Sequence, residues 1–262
     1  MRVFLLGTTK FSLRCLEALE RCGQDVVGCA TTPTVFSISY APTGVQNVNY
    51  VDFEEVGKSR NIPAIGYDRE DPLTFQQSVQ ALRPDILLAA GWYYMVGSKL
   101  RAVAPLGAVG LHASELPRYR GGAPLVWQII RGEPSAGISL FYLEDGVDTG
   151  DVIGALNFPI EKHDTIAKAM ESMEAGAEAL IEKYFPLLEK GMAPRLPQDE
   201  TLASEFPQRS PEDGEIDWTC SATEIYNFIR AQTRPYPGAF TRVGGKKVTI
   251  WDAKIVEEDN SP

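Results

Sequence analysis

The sequence predicts an α/β fold built on a parallel sheet, followed by a small α+β appendage. Three observations carry this. Short apolar runs alternate with stretches of helical spacing, which is the pattern of βαβ units. The chain has 262 residues, 44% of them hydrophobic, enough for one full α/β domain and something smaller. A proline-bearing stretch with little periodicity then separates this pattern from a terminal helix and hairpin.

Taken in order, residues 2–7 read as a buried first strand. Residues 11–21 follow as a helix, with Phe11, Cys15, Leu16 and Leu19 at helical spacing and Gly23 as its C-terminal stop. Residues 25–30 form a second strand. Pro33, Pro42, Gly44 and several asparagines make 31–53 a surface loop. Residues 85–91, after Pro84, and 108–112 are the third and fourth strands. Residues 167–184 form an amphipathic scaffold helix rich in Ala, Glu and Lys. Residues 191–208 read as a linker. Beyond it lie a short helix at 223–232, the turn Pro235-Tyr236-Pro237-Gly238, and strands at 239–243 and 248–253 around Gly244-Gly245, a hairpin signal. The expected division is a Rossmann-like domain at 1–190 and a small region at 209–262. A hairpin is marginal alone, so this region packs on the main domain or pairs across a dimer.

Charge narrows the function. Lys and Arg number 25 against 35 Asp and Glu, a net charge of −10. Such a surface repels long polyphosphates but admits a small anion held in a basic cleft. The four cysteines form no CxxC pair, so reduced, mostly buried thiols are expected and no metal site. No apolar run is long enough to span a bilayer. The first run stops at Gly7-Thr8-Thr9, too short for a signal peptide, and the expected location is the cytoplasm.

Ligands of parallel sheets sit beyond the carboxyl ends of the strands, so residues 7–11, 91–95 and 111–122 should meet at one cleft. Of the two histidines, His112 ends a strand and opens the segment Ala113-Ser114-Glu115-Leu116-Pro117-Arg118-Tyr119-Arg120-Gly121-Gly122. That placement favours a ligand site over core filling. His163 reads as a solvated turn. A second dense loop, Glu144-Asp145-Gly146-Val147-Asp148-Thr149-Gly150-Asp151, lacks the spacing and distal Glu of a calcium loop. It is better read as one aspartate facing a histidine, held by a turn that glycine permits.

The segment from His112 to Gly121 resembles the Asn-x-His-x-Ser-Leu-Leu-Pro-x-x-Arg-Gly motif of folate-dependent formyltransferases, and Gly146-Val147-Asp148-Thr149-Gly150-Asp151 resembles that family's second motif. Pro211-Glu212-Asp213-Gly214, Ile216-Asp217-Trp218, Arg230 and residues 235–240 resemble its carboxy-terminal region. The resemblance spans essentially the whole chain. It implies transfer of formyl from 10-formyltetrahydrofolate to an amine, with His112 and Asp148 managing charge and protons. One departure stands out: the family's catalytic Asn falls on Gly110, which has no side-chain donor. An impaired or altered enzyme, replacement of the amide by water or a backbone N–H, and a protein that binds without transferring all fit that change. Glu115 also replaces the family's first Leu. The resemblance places the pterin against Gly91, Trp92, Tyr93, Tyr94 and Met95 and against Asp145, Gly146 and Val147; interdomain packing is the competing reading of the aromatics. Among possible acceptors, it points to a nucleotide-linked amino sugar destined for surface polysaccharide. The acidic surface and short tail disfavour methionyl-tRNA. Lys10, Arg118 and Arg120 are candidates for the diphosphate, or else surface charges and structural ion pairs.

Overall fold

The structure, a computed structural model, describes residues 1–38, 41–47 and 49–256. Parts of the stretches 31–53 and 209–262 lie outside the described residues. In chain order the elements are β1 (Arg2–Leu6), α1 (Lys10–Arg21), β2 (Asp25–Thr31), β3 (Val35–Ile38), β4 (Ala41–Gln46), α2 (Phe53–Arg60), β5 (Ala64–Gly66), α3 (Pro72–Ala81), β6 (Ile86–Ala89) and α4 (Ser98–Arg101). They continue with β7 (Ala108–His112), β8 (Arg120–Gly121), α5 (Pro124–Ile130), β9 (Ser135–Tyr142), β10 (Val152–Pro159), α6 (Ile166–Glu189), β11 (Glu205–Phe206), α7 (Ala222–Gln232), β12 (Ala239–Val243) and β13 (Lys246–Ile250).

Seven strands form one sheet in the order β10-β9-β7-β6-β1-β2-β5. The five on the β5 side run parallel. β9 runs antiparallel to β7, and β10 runs antiparallel to β9, because the short 143–151 loop joins β9 and β10 without a crossover. The predicted parallel sheet is therefore a mostly parallel one. Alternation along β1 divides the core. Val3 and Leu5 join Cys15, Leu16 and Leu19 of α1 and Ile181 and Phe185 of α6 on one face. Phe4 and Leu6 join Phe75, Val79 and Leu87 on the other.

Several elements differ from the sequence expectation. Within 31–53 the structure pairs β3 with β4 antiparallel and starts α2 at a fully buried Phe53. Asp52 caps that helix through the amides of Glu54 and Glu55. Pro42 and Gly44, both within β4, read as loop residues and hid this local pairing. α6 outruns its expected end and carries Pro186 within it. β13 starts at Lys246 rather than 248: Val243 pairs directly with Lys246 around Gly244 and Gly245, both at positive φ. The carboxy-terminal region packs on the main domain, with α7 against α5 and the Arg230 guanidinium donating to the carbonyls of Asp164 at 2.7 Å and Glu161 at 3.2 Å. Segment 191–208 is more than a connection. β11 lies parallel to β8, and Leu196 bridges to Val152. Among the described residues no helix is long and apolar enough to cross a membrane. The cysteines are unpaired, and burial pushes the Cys29 thiol up to about 12.

Gly7 ends β1 where the backbone passes under the loop after β6. A Cβ there would lie 2.1 Å from the Ala90 carbonyl oxygen and 2.4 Å from Ser12 Oγ, and main chain cannot swing aside. Gly7→Ala is expected to lose about 2–3 kcal/mol of stability through overpacking, read as a lower urea midpoint.

Candidate active site

β7 presents Gly110 and His112 on one face of the sheet, two residues apart. His112 is 8% exposed, and its Nε2 lies 2.7 Å from the Tyr119 carbonyl oxygen. A carbonyl only accepts, so Nε2 carries the hydrogen. Nδ1 faces Asp148 Oδ2 at 3.4 Å. With Nε2 protonated, a neutral ring would turn a lone pair toward a carboxylate. A proton between Nδ1 and Oδ2 would remove that conflict.

The loop after His112 is pinned on all sides. Gln128 Nε2 donates to the Ala113 carbonyl at 2.8 Å, Ser139 Oγ to the Ser114 carbonyl at 2.8 Å, and Ser114 Oγ to the Arg118 carbonyl at 2.6 Å. Asp148 arrives from the other loop. That loop leaves β9 with Leu143 N donating to the Ala108 carbonyl at 2.8 Å and reaches back to His112 before entering β10. Asp148 sits at φ +54°, in the left-handed region that non-glycine residues seldom occupy. Its Oδ2 accepts the Gly121 N–H at 2.9 Å. Among the described residues Oδ1 has no hydrogen-bond partner. Gly150 lets the turn close: a Cβ there would stand 1.8 Å from the Tyr142 carbonyl oxygen.

Above Gly110 the space is hydrocarbon. A Cβ would meet Leu143 Cδ2 at 2.8 Å and Phe141 Cε1 at 3.2 Å. A side-chain amide enters only if Leu143 turns away.

The predicted ring-binding residues divide. Tyr93 and Met95 are exposed, and the Tyr93 hydroxyl lies 3.4 Å from Asn47 Oδ1. Trp92 and Tyr94 instead join Tyr67 and Phe75 in one aromatic cluster. The buried Trp92 indole N–H has no partner among the described residues. Gly146 and Val147 are exposed, and Asp145 is paired with Arg101.

The three candidate cations also divide. Arg120 is 2% exposed, its guanidinium held by Glu200 and Gln198; it is a structural group and is not open to a diphosphate. Charge alone could not reveal that burial. Arg118 pairs with Glu133 at 2.8 Å. The same carboxylate accepts the Tyr119 hydroxyl, and burial, then this hydrogen bond, push that phenol up to about 12. Lys10 is exposed at the start of α1. His163 contacts the Tyr226 hydroxyl at 3.0 Å, apart from the pair. Sequence reasoning missed Gln198, Ser204 and Phe206. Ser204 accepts from Tyr119 N at 2.9 Å through its hydroxyl and from Arg120 N at 2.8 Å through its carbonyl, and the Phe206 carbonyl accepts from Gly122 N at 2.9 Å. Nothing periodic marks these residues.

Residues 1–183 match the family described as formyl transferase, and 209–262 match the formyl transferase C-terminal domain. The methionyl-tRNA formyltransferase of Desulforamulus reducens is 31% identical over 261 residues, 99% of this chain and 80% of that protein. The N-formyltransferase of Helicobacter canadensis, solved with folinic acid and dTDP-3-aminofucose, superposes with a TM-score of 0.70 at 18% identity, covering 94% of this chain and 85% of that one. Methionyl-tRNA formyltransferase from Clostridium thermocellum gives 0.65 at 20% identity, covering 98% and 94%.

Proposed function

The chain belongs to the formyl transferase family, and from that premise we propose that it moves formyl from 10-formyltetrahydrofolate to the amine of a nucleotide-linked amino sugar. The His112–Asp148 pair at the end of β7 carries the reading.

The folate supplies the activated formyl group. Its flat ring would lie at the end of β6, where Tyr93 and Met95 are exposed. The amine nitrogen bonds to the formyl carbon as the bond from that carbon to the folate nitrogen breaks. Asp148 Oδ1, the open oxygen of the pair, takes the proton the amine must lose and passes it to the departing folate nitrogen, which leaves as a neutral amine. His112 steadies the carboxylate through Nδ1, and the Tyr119 carbonyl fixes the ring. In this geometry the Nε2–H is spent on that carbonyl, so His112 acts through Asp148. Negative charge gathers on the formyl oxygen during attack, and Gly110 brings no side chain to it.

The net charge of −10 supports a small acceptor over tRNA, whose backbone needs several cations. With Arg120 buried and Arg118 paired, the exposed Lys10 remains of the three candidates for a diphosphate. A second reading, methionyl-tRNA as acceptor, is favoured by the 31% identity across nearly the whole chain. Incubation with 10-formyltetrahydrofolate and either a panel of nucleotide-linked amino sugars or initiator methionyl-tRNA separates the two. Mass spectrometry is expected to find one added formyl group on a sugar amine. Formylated methionine on tRNA, with salt-sensitive binding, would replace the first reading by the second.

A further inference from the structure

Segment 191–208 sends one side chain into contact with both halves of the candidate site. Gln198 Nε2 donates to the carbonyl oxygens of Asp148 at 2.8 Å and Gly150 at 2.7 Å. Its Oε1 accepts from Arg120 Nε at 3.1 Å and Nη2 at 2.8 Å. The amide can point only this way, because a guanidinium offers donors alone and carbonyls accept alone. Arg120 is itself held in a fork by Glu200, at 2.9 and 2.7 Å.

Arg120 lies between Tyr119, whose carbonyl holds His112, and Gly121, whose N–H holds Asp148. Gln198 therefore closes a ring of contacts: from Arg120 across to the Asp148 backbone, from the Asp148 carboxylate to Gly121, and back. The backbone it grips is the left-handed one at Asp148, a conformation that persists where the surroundings over-determine it. We propose that Gln198 is a positioning residue, which clamps Asp148 against His112 and so sets the rate of the chemical step without touching substrate. This rests on the reading of His112 and Asp148 as the reacting pair.

Loss of the clamp lets the Asp148 peptide rotate, and a misplacement of about 1 Å costs roughly 10²-fold in rate. Substrate binding surfaces at Tyr93, Met95 and Lys10 are untouched. Gln198→Leu removes both sides of the bridge. Gln198→Glu keeps the chain length and the Arg120 contact while setting a carboxylate oxygen against two carbonyls, so it guards against misfolding of the first. For both variants kcat is expected to fall by about 10- to 100-fold, with KM for folate and acceptor within about threefold of the parent. The solvent deuterium isotope effect on kcat should rise as proton transfer becomes limiting. Circular dichroism checks folding, and Asp148→Asn is measured beside them. Parent-like kcat in a folded Gln198→Glu, with Asp148→Asn inactive, overturns the role of Gln198 alone. So does a fall in kcat matched by a rise in KM with no change in isotope effect, which marks a merely structural residue. Full activity in Asp148→Asn overturns the pair and the clamp together.

Discussion

Asp148→Asn is expected to reduce formyl transfer by roughly 10²–10⁴-fold, the range for loss of a positioned acid–base group. The Asn oxygen can still accept the Gly121 N–H, so the turn survives. What disappears is the negative charge beside His112 Nδ1 and the proton acceptor at Oδ1. His112→Ala should do comparable damage by a different route: the Tyr119 carbonyl loses its donor and Asp148 loses its ring partner. Asp148 lies in a loop outside the sheet core, whereas the buried His112 ring packs edge-on against Phe141, so His112→Ala also costs packing. Steady-state rates with the identified acceptor, alongside thermal melts, give the comparison. Full activity in either folded variant would remove the pair from the chemistry.

The second large effect is a gain. Gly110→Asn places an amide where the family's motif has one, and a transition-state donor is worth up to roughly 10²–10³-fold in kcat. The increase should appear in turnover far more than in affinity, because such a bond strengthens as charge develops. The structure adds a steric condition. The new Cβ meets Leu143 Cδ2 at 2.8 Å and Phe141 Cε1 at 3.2 Å. Leu143 presents the far end of a flexible side chain and can rotate; Phe141 is 2% exposed and must shift slightly. Gly110→Asn combined with Leu143→Ala relieves the first contact and should gain at least as much as the single change. Brisk turnover in the parent, with no gain in either variant, would show that another donor already serves the oxyanion. Tight binding of a nucleotide sugar with no transfer by any form would favour a binding protein.

Four of the five parallel strands were legible because they are buried and read as apolar runs: residues 2–7, 25–30, 85–91 and 108–112 each overlap an observed strand, while the three-residue β5 was too short to stand out. β9 and β10 escaped notice although both are apolar. Gly137, Ser139 and Gly154 interrupt them: a Cβ on Gly137 would meet Glu115 N at 3.0 Å and one on Gly154 would meet Tyr184 at 2.2 Å, while Ser139 Oγ bonds the Leu116 N–H and the Ser114 carbonyl. The His112–Asp148 contact was legible from two loops whose residue types make chemical sense only together. The Arg120 assignment was not, because a guanidinium in a loop reads the same whether it faces solvent or, as here, is buried under Gln198 and Glu200. The strap at 191–208 carries no periodic signal at all. Its residues bond to backbone carbonyls and amides of two distant loops, and such contacts leave no trace in spacing.

The most direct measurement of the whole account is a single-turnover reaction with isotopically labelled formyl on 10-formyltetrahydrofolate, followed by mass spectrometry of the acceptor, for the parent and Asp148→Asn side by side. One labelled formyl group is expected on the amine of a nucleotide-linked amino sugar with the parent, and none above background with the variant. Equal labelling by both proteins, or label on no amine at all, would contradict it.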